Sequence, residues 1–259
     1  MTRRLPPGTP ALFGLIAVAL VAPHLAPYAP DAVDLAMRRA GPSSAHWFGT
    51  DDLGRDVLTR ALHGARISIA IGLLAAATSV LLGAVVGLVA GAGGRRVDAL
   101  LMRVTDAMLA VPRLPLLMTL AAIFQPSVPL LILLVGTVGW METARVVRAE
   151  VLALVPRGFV EAARALGVTP VRVMARHLVP NVTGVLAVSA TLAVGRSILM
   201  ESALSFFGVG VQPPSASWGN MLYQAQAAMT TEPWVALFPG LAIFLTVLAV
   251  NAAGERLAR

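Results

Sequence analysis

Six long apolar runs, nearly free of charge, constrain this chain more than any other feature. They begin at Ala11, Ile67, Ala99, Pro129, Val182 and Trp234 and end near Leu25, Ala92, Phe124, Val147, Leu204 and Ala253. Crossing ~30 Å of hydrocarbon takes roughly 20 helical residues, so runs of this kind are bilayer spans. Composition agrees: 57% of the residues are hydrophobic and 13% charged, with a mean hydropathy of +0.79. A soluble domain is about 25% charged. The expected fold class is all-α, a polytopic membrane protein of six transmembrane helices.

The first run follows Arg3 and Arg4 and contains Pro23 and His24. A signal peptide would also have a basic start and a short apolar stretch. No small-residue cleavage site stands out and many spans follow, so a retained helix is expected. Ala99–Phe124 is interrupted by Val111-Pro112-Arg113-Leu114-Pro115, and the run from Pro129 carries Glu142 and Arg145 near its end.

The arginines set the orientation. A cytoplasmic N-terminus puts Arg3, Arg4, Arg95, Arg96, Arg103, Arg145, Arg148, Arg157, Arg164, Arg172, Arg176, Arg256 and Arg259 inside. Arg38, Arg39, Arg55, Arg60 and Arg66 then lie outside, beside Asp31, Asp34, Asp51, Asp52 and Asp56. Thirteen against five satisfies the positive-inside rule and predicts N-in, C-in. We divide the chain into an N-terminal helix with its outer segment, 1–65, and a core of five spans, 66–259. Long connections usually carry function; here they are 28–65 and 206–233 outside and 148–180 inside.

Several chemistries are excluded. The net charge of +7 comes from arginines scattered between apolar runs, which argues against a nucleic-acid surface. All twenty basic residues are Arg, so there is no P-loop lysine and no lysine for a Schiff base. With no Cys there is no disulfide framework or thiolate nucleophile. His24, His46, His63 and His177 are too dispersed to suggest a metal site, and no metal or other cofactor is expected in this chain.

The inner loop is the most informative stretch. Ala, Glu, Arg and Leu favour helix from Glu161 to Leu166. Gly167 stands where a helix end wants a left-handed residue. Thr169 can cap a second helix with Pro170 at its first position; that helix is expected to stop at Pro180. The result is a helix–turn–helix knob. By itself this could also be an amphipathic hairpin on anionic lipid. The spacing of Glu161, Ala162, Ala163, Gly167 and Pro180, however, resembles the cytoplasmic EAA loop of bacterial ABC importer permeases. His177, Leu178 and Val179 stand where the wider pattern has Ile, any residue and Leu.

Two outer segments extend the resemblance. Gly49, Thr50, Asp51, Gly54, Arg55 and Asp56 match the Gly-Thr-Asp-x-x-Gly-Arg-Asp signature of dipeptide, oligopeptide and nickel permeases. Paired aspartates near His46 could suggest a metal, but charge pairing and turn capping explain them as a structural, polar-networked elbow. Glu201–Pro214 and Ser217–Met221 are also similar to that subfamily, most closely to its peptide permeases, and could form a re-entrant lip. The likeness covers roughly residues 46–253.

The resemblance implies a non-catalytic permease subunit in a bacterial inner membrane, working by alternating access. It implies two ATP-binding subunits that bind the ATP and magnesium and seat the inner loop. It also implies a second homologous permease forming a heterodimer, and an extracytoplasmic solute-binding protein. Di- or oligopeptides are the expected cargo, with nickel as the alternative. Arg113, Arg196 and Glu201 lie at membrane depth, where ionisable groups face protein or water. They line or gate the path, or else Arg113 and Glu201 snorkel to interfaces. Arg196 and Glu201 are five apart, about 500° around a helix, so they are not neighbours on one face. An ion-coupled secondary transporter would want more mid-membrane carboxylates than Glu201. An intramembrane enzyme would want paired acids or a nucleophile with its base.

Overall fold

The computed structural model describes residues 9–258; Arg3, Arg4 and Arg259, used above to orient the chain, lie outside the described residues. The described chain is helical, with one isolated antiparallel bridge, Thr50 to Asp56, and no strand. The helices are α1 (Thr9–Val21), α2 (Val57–Ala92), α3 (Arg95–Ala110), α4 (Arg113–Ile123), α5 (Val128–Val138) and α6 (Trp140–Leu154). They continue with α7 (Gly158–Ala165), α8 (Pro170–Val173), α9 (Val179–Phe206), α10 (Trp218–Ala225) and α11 (Pro233–Ala258). Four of these stretches are long and apolar enough to cross a membrane: α2, α5 with α6, α8 through α9, and α11. The pair α3 and α4, bent by 82°, makes a fifth if taken as one span. The first apolar run gives α1 and a 3-10 turn over Ala22–Leu25, shorter than a full span.

α2 is the axis of the molecule. It starts at Val57, ten residues before the apolar run at Ile67, because Asp56 caps it by accepting the Thr59 N–H at 2.7 Å. At 36 residues it is about 54 Å long, well beyond the hydrocarbon thickness. Its C-terminal half meets α6 through small residues. A Cβ added at Gly87 would lie 2.6 Å from the Ala144 carbonyl and 2.8 Å from Val147 Cβ; Gly83 and Gly91 are equally tight against α6. Backbones approach this closely in lipid only where a side chain is missing.

Four apolar clusters surround that axis, one of them joining Val57 and Ala61 to Met221, Ala225 and Val235. Ile69 and Ala76 of α2 pack with Val194 and Ile198 of α9, Trp218 of α10 and Val250 of α11. Ile71 packs with Leu117, Leu131 and Leu204, which joins α4, α5 and α9. Near the C-terminal end of α2, Leu88, Val147, Val151, Val160, Val173, Leu178 and Val182 bind α7 and α8 to the bundle.

Two breaks were only partly anticipated. Pro112 cannot continue α3, and the chain turns sharply before α4. Pro180, expected to stop a helix, does not. A π turn over Met174–Leu178 lets the Val179 N–H reach back to the Met174 carbonyl, and Pro180 then occupies the first turn of α9, where its missing N–H costs little. Asn181 Nδ2 donates to the His177 carbonyl at 2.6 Å within this irregular stretch. The helix from Pro170 to Phe206 is therefore continuous over 37 residues.

Candidate functional site

Beside the C-terminal end of α2, α7 lays Val160 and Ala163 against the core and leaves Glu161 and Ala162 exposed. The helix closes with Gly167 at φ +77°. The Val168 N–H reaches the Ala163 carbonyl at 3.1 Å and the Gly167 N–H the Arg164 carbonyl at 2.9 Å. This is a Schellman closure, and it requires the left-handed residue. Nothing lies within 4 Å of a Cβ added at Gly167, so glycine serves the backbone there and not a tight contact. Thr169 stands at the N-cap of α8 without a side-chain cap bond, and Pro170 follows it. Leu166 and Val171, on either side of the turn, are 84% and 77% exposed. Glu161, Ala162, Gly167 and Pro180 are exposed and Ala163 is buried; Glu161 to Gly167 belong to α7 and its closing turn, while Pro180 lies in the first turn of α9.

At the opposite end of α2, just before its first residue, Gly49 and Gly54 both take positive φ, +71° and +74°. A Cβ at Gly54 would collide with the Asp34 carbonyl, so the loop can close only around glycine. Thr50 is buried; its hydroxyl donates to the Met37 carbonyl and accepts from the Ala40 N–H. Asp51 accepts the Leu53 and Arg55 N–H groups on Oδ1, at 2.9 and 3.0 Å, and Arg55 Nε on Oδ2 at 2.7 Å. Arg60 Nε stands 3.6 Å from the same oxygen. Asp56 caps α2 and pairs with His46 Nδ1 at 2.9 Å. The two arginines also converge on Gln224 Oε1 of α10, at 3.2 Å from Arg55 and 3.0 Å from Arg60. Among the described residues no group of three or more acidic or histidine side chains is arranged to hold a metal.

The three intramembrane charges separate into two places. Arg113 Nη2 lies 2.9 Å from Glu142 Oε1, and Arg196 pairs with the other oxygen of the same carboxylate. Three helices, α4, α6 and α9, meet there. Glu201 is elsewhere and fully buried. It accepts from Ser68 Oγ of α2 at 3.0 Å and from Ser205 Oγ at 2.8 Å. Those hydroxyls in turn accept the backbone N–H groups of Trp218, at 3.2 Å, and Val211, at 3.0 Å. A single carboxylate therefore ties α2 and α9 to the connection that leads into α10. That segment is further fixed by Trp218 Nε1 donating to the Ala61 carbonyl at 3.0 Å and by a Ser217–Asn220 capping box.

Sequence reasoning missed the sharing of Glu142, and the roles of Ser68, Ser205 and Gln224. Glu142 stood out as an acid inside an apolar run, but its two partners are 29 and 54 positions away (142 − 113 and 196 − 142). Serines in spans carry no distinctive signal of their own.

The helices and their buried polar ties define a multi-pass membrane protein built around packed spans. Residues 79–259 match the family described as binding-protein-dependent transport system inner membrane component, and the chain belongs to that family. A relative in Brucella suis biovar 1, named "Putative peptide permease protein", is 39% identical over 255 residues, covering 95% of this chain and 84% of the relative. A peptide transport system permease protein of the same organism, also named as putative, is 39% identical over 250 residues, covering 96% and 84%. The dipeptide transport system permease protein DppC of Alkalihalophilus pseudofirmus is 38% identical over 242 residues, covering 93% and 80%. The chain is thus a transport permease of the bacterial inner membrane, and the class of importer it serves works with a binding protein and an ATPase.

Proposed function

We propose that this permease carries di- or oligopeptides inward by alternating access, as one half of a heterodimer with a homologous permease. Three relatives named for peptide or dipeptide transport support peptide over nickel. In this reading the chain crosses six times, N-in and C-in: α1 with its 3-10 turn, α2, the bent pair α3 and α4, α5 with α6, α8 through α9, and α11. ATP and magnesium are held by two partner ATPases, and this chain contributes no catalytic residue or cofactor. An extracytoplasmic binding protein delivers cargo to the outer mouth.

The observation that carries the coupling assignment is the inner projection. Leu166 and Val171 are exposed apolar side chains at the tip of a turn whose base is locked to the bundle by Val160, Ala163 and Val173. Apolar groups held in the open this way suit a socket on another protein. We assign ATPase coupling to Glu161, Ala162, Ala163, Gly167 and Pro180. The outer elbow, Gly49, Thr50, Asp51, Gly54, Arg55 and Asp56, is structural. Arg113 and Arg196 face the path, and Glu201 braces the outer segment that bounds it.

Co-purification with the partner ATPases, comparing wild type with Leu166→Asp and Val171→Asp, tests the coupling. Loss of ATPase subunits from an otherwise folded permease pair is expected. Full assembly and unchanged ATP-dependent uptake in both variants would overturn it.

A further inference from the structure

The cluster of Arg113, Glu142 and Arg196 holds more positive charge than it neutralises. Glu142 is one carboxylate between two guanidinium groups, and no second carboxylate pairs with either arginine among the described residues. The guanidinium is a permanent cation, so one net positive charge remains. Its outlet is visible. The Arg196 side chain is 43% exposed and that of Arg113 24%. Both line a recess of about 270 Å³ whose other walls are Leu114, Leu199, Met200 and Ala203. Leu192, Arg196, Leu199 and Phe207 form an exposed stripe along α9 and the residue that follows it. Arg196 lies about 15 Å below the outer end of α9, at 1.5 Å per residue. A charge at that depth faces water or protein, because hydrocarbon would not tolerate it. Behind the pair, Ser79, Gly139 and Ser197 help line a second hole of about 30 Å³, room for a water.

The geometry points to a carboxylate subsite on the translocation path: Arg196, with Arg113 beside it, receives the C-terminal carboxylate of a short peptide. The inference rests on the peptide-importer reading and adds which end of the cargo this subunit engages. A planar guanidinium takes a carboxylate in two parallel hydrogen bonds, which a point charge does not. The apolar walls accept a side chain without selecting one, and Met200 is adaptable. Glu142 is the resident counter-ion, holding both arginines in place between cargoes. A cargo lacking the terminal charge gains nothing from the site.

The complete importer, with its partner permease, ATPases and binding protein, provides the test. Tritiated alanyl-phenylalanine and its C-terminal amide are compared for retention by the purified complex, in wild type, Arg196→Gln and Arg196→Lys. Wild type is expected to favour the free acid by about tenfold, the lower range for a charge-assisted hydrogen bond. Arg196→Gln is expected to assemble fully and lose the preference, while Arg196→Lys keeps part of it. Equal retention of acid and amide by wild type, or an undiminished preference in Arg196→Gln, overturns the subsite. So does failed assembly in Arg196→Gln, which would mark a pairing with the second permease instead. Uptake of the free acid into vesicles separates the two ideas. If wild type imports the peptide, only the subsite is at stake in those outcomes; if it does not, the peptide reading fails and the subsite with it.

Discussion

Glu201 on α9 accepts a hydrogen bond from Ser68 on α2 at 3.0 Å, in a place where the carboxylate is wholly shielded from solvent. Two residues 133 positions apart thereby meet in the core, and the backbone of Trp218 leans on the same serine. Glu201→Ala would leave the Ser68 and Ser205 hydroxyls without their acceptor, at a cost of about 1–3 kcal/mol for each buried group so orphaned. The expected result is a lower unfolding midpoint and faster proteolysis within residues 207–232. Glu201→Gln, which keeps an acceptor oxygen, should fall between. A Glu201→Ala protein as stable and as protease-resistant as wild type would refute the brace.

The approach of α2 to α6 makes a sharper demand. Gly87→Val adds a branched side chain where a single Cβ already meets the Ala144 carbonyl. Overpacking of this kind costs about 1–3 kcal/mol or more. The yield of monodisperse protein in detergent should drop severely. Gly184→Ala, with nothing within 4 Å of the added Cβ, is the matched control and should be neutral.

At the inner turn the penalty is conformational. Gly167→Ala forces a Cβ into φ +77°, which costs roughly 1–2 kcal/mol although no neighbour is displaced. Coupled ATPase activity should fall by several-fold with the bundle's thermal midpoint nearly unchanged. Gly158→Ala, also without neighbours and without a left-handed φ, should behave as wild type. Equal effects from both substitutions would dismiss the turn geometry as the cause.

Asp51 is the least replaceable residue of the outer elbow. It stands against Arg55 and Arg60 with 4% of its surface exposed, so Asp51→Ala strands Arg60 in a buried site and leaves Arg55 only the exposed Asp52, 3.7 Å away. Breaking such a group costs about 3–5 kcal/mol. Because the chain has no cysteine, a single Cys placed at Ala225, 1% exposed beside Gln224, reports the elbow without background. Labelling at that site should accelerate at least tenfold in Asp51→Ala, and an unchanged rate would count against the network.

The ion pairs between α3 and α6 should be weaker and reciprocal. Asp98 pairs with Arg148, and Asp106 with Arg145, all partly open to solvent. Asp98→Arg alone should destabilise by about 1 kcal/mol, and adding Arg148→Asp should recover most of it. Failure of the double exchange to recover stability would show that the pair is incidental.

Much of the architecture was legible because a lipid span needs unbroken apolar length, and α2, α9 and α11 supply it conspicuously. The breaks were harder. Pro112 announced an interruption, but the 82° bend depends on Leu117 and Ala121 finding Ile71 and Leu131, a packing that no local pattern encodes. Pro180 was misjudged because the usual cost of proline assumes a regular helix before it. Five residues of wider turn removed that conflict. Among the intramembrane charges, the composition of each helix identified the expensive side chains but not their company. Arg196 and Glu201 were correctly not expected to pair with each other. That Glu142 answers both arginines, while serines answer Glu201, is settled by helix placement and rotation.

The continuous helix from Pro170 to Phe206 has a mechanical consequence. At 37 residues it is a rod about 55 Å long, with its foot beside the inner projection and its head beside the outer segment. A tilt of about 5° at the wider turn displaces the head of the 28-residue shaft above it by about 4 Å. The wider turn at Met174–Leu178 sits near the foot, so the chain carries an ankle at the end where the proposed coupling would act and a stiff shaft above it.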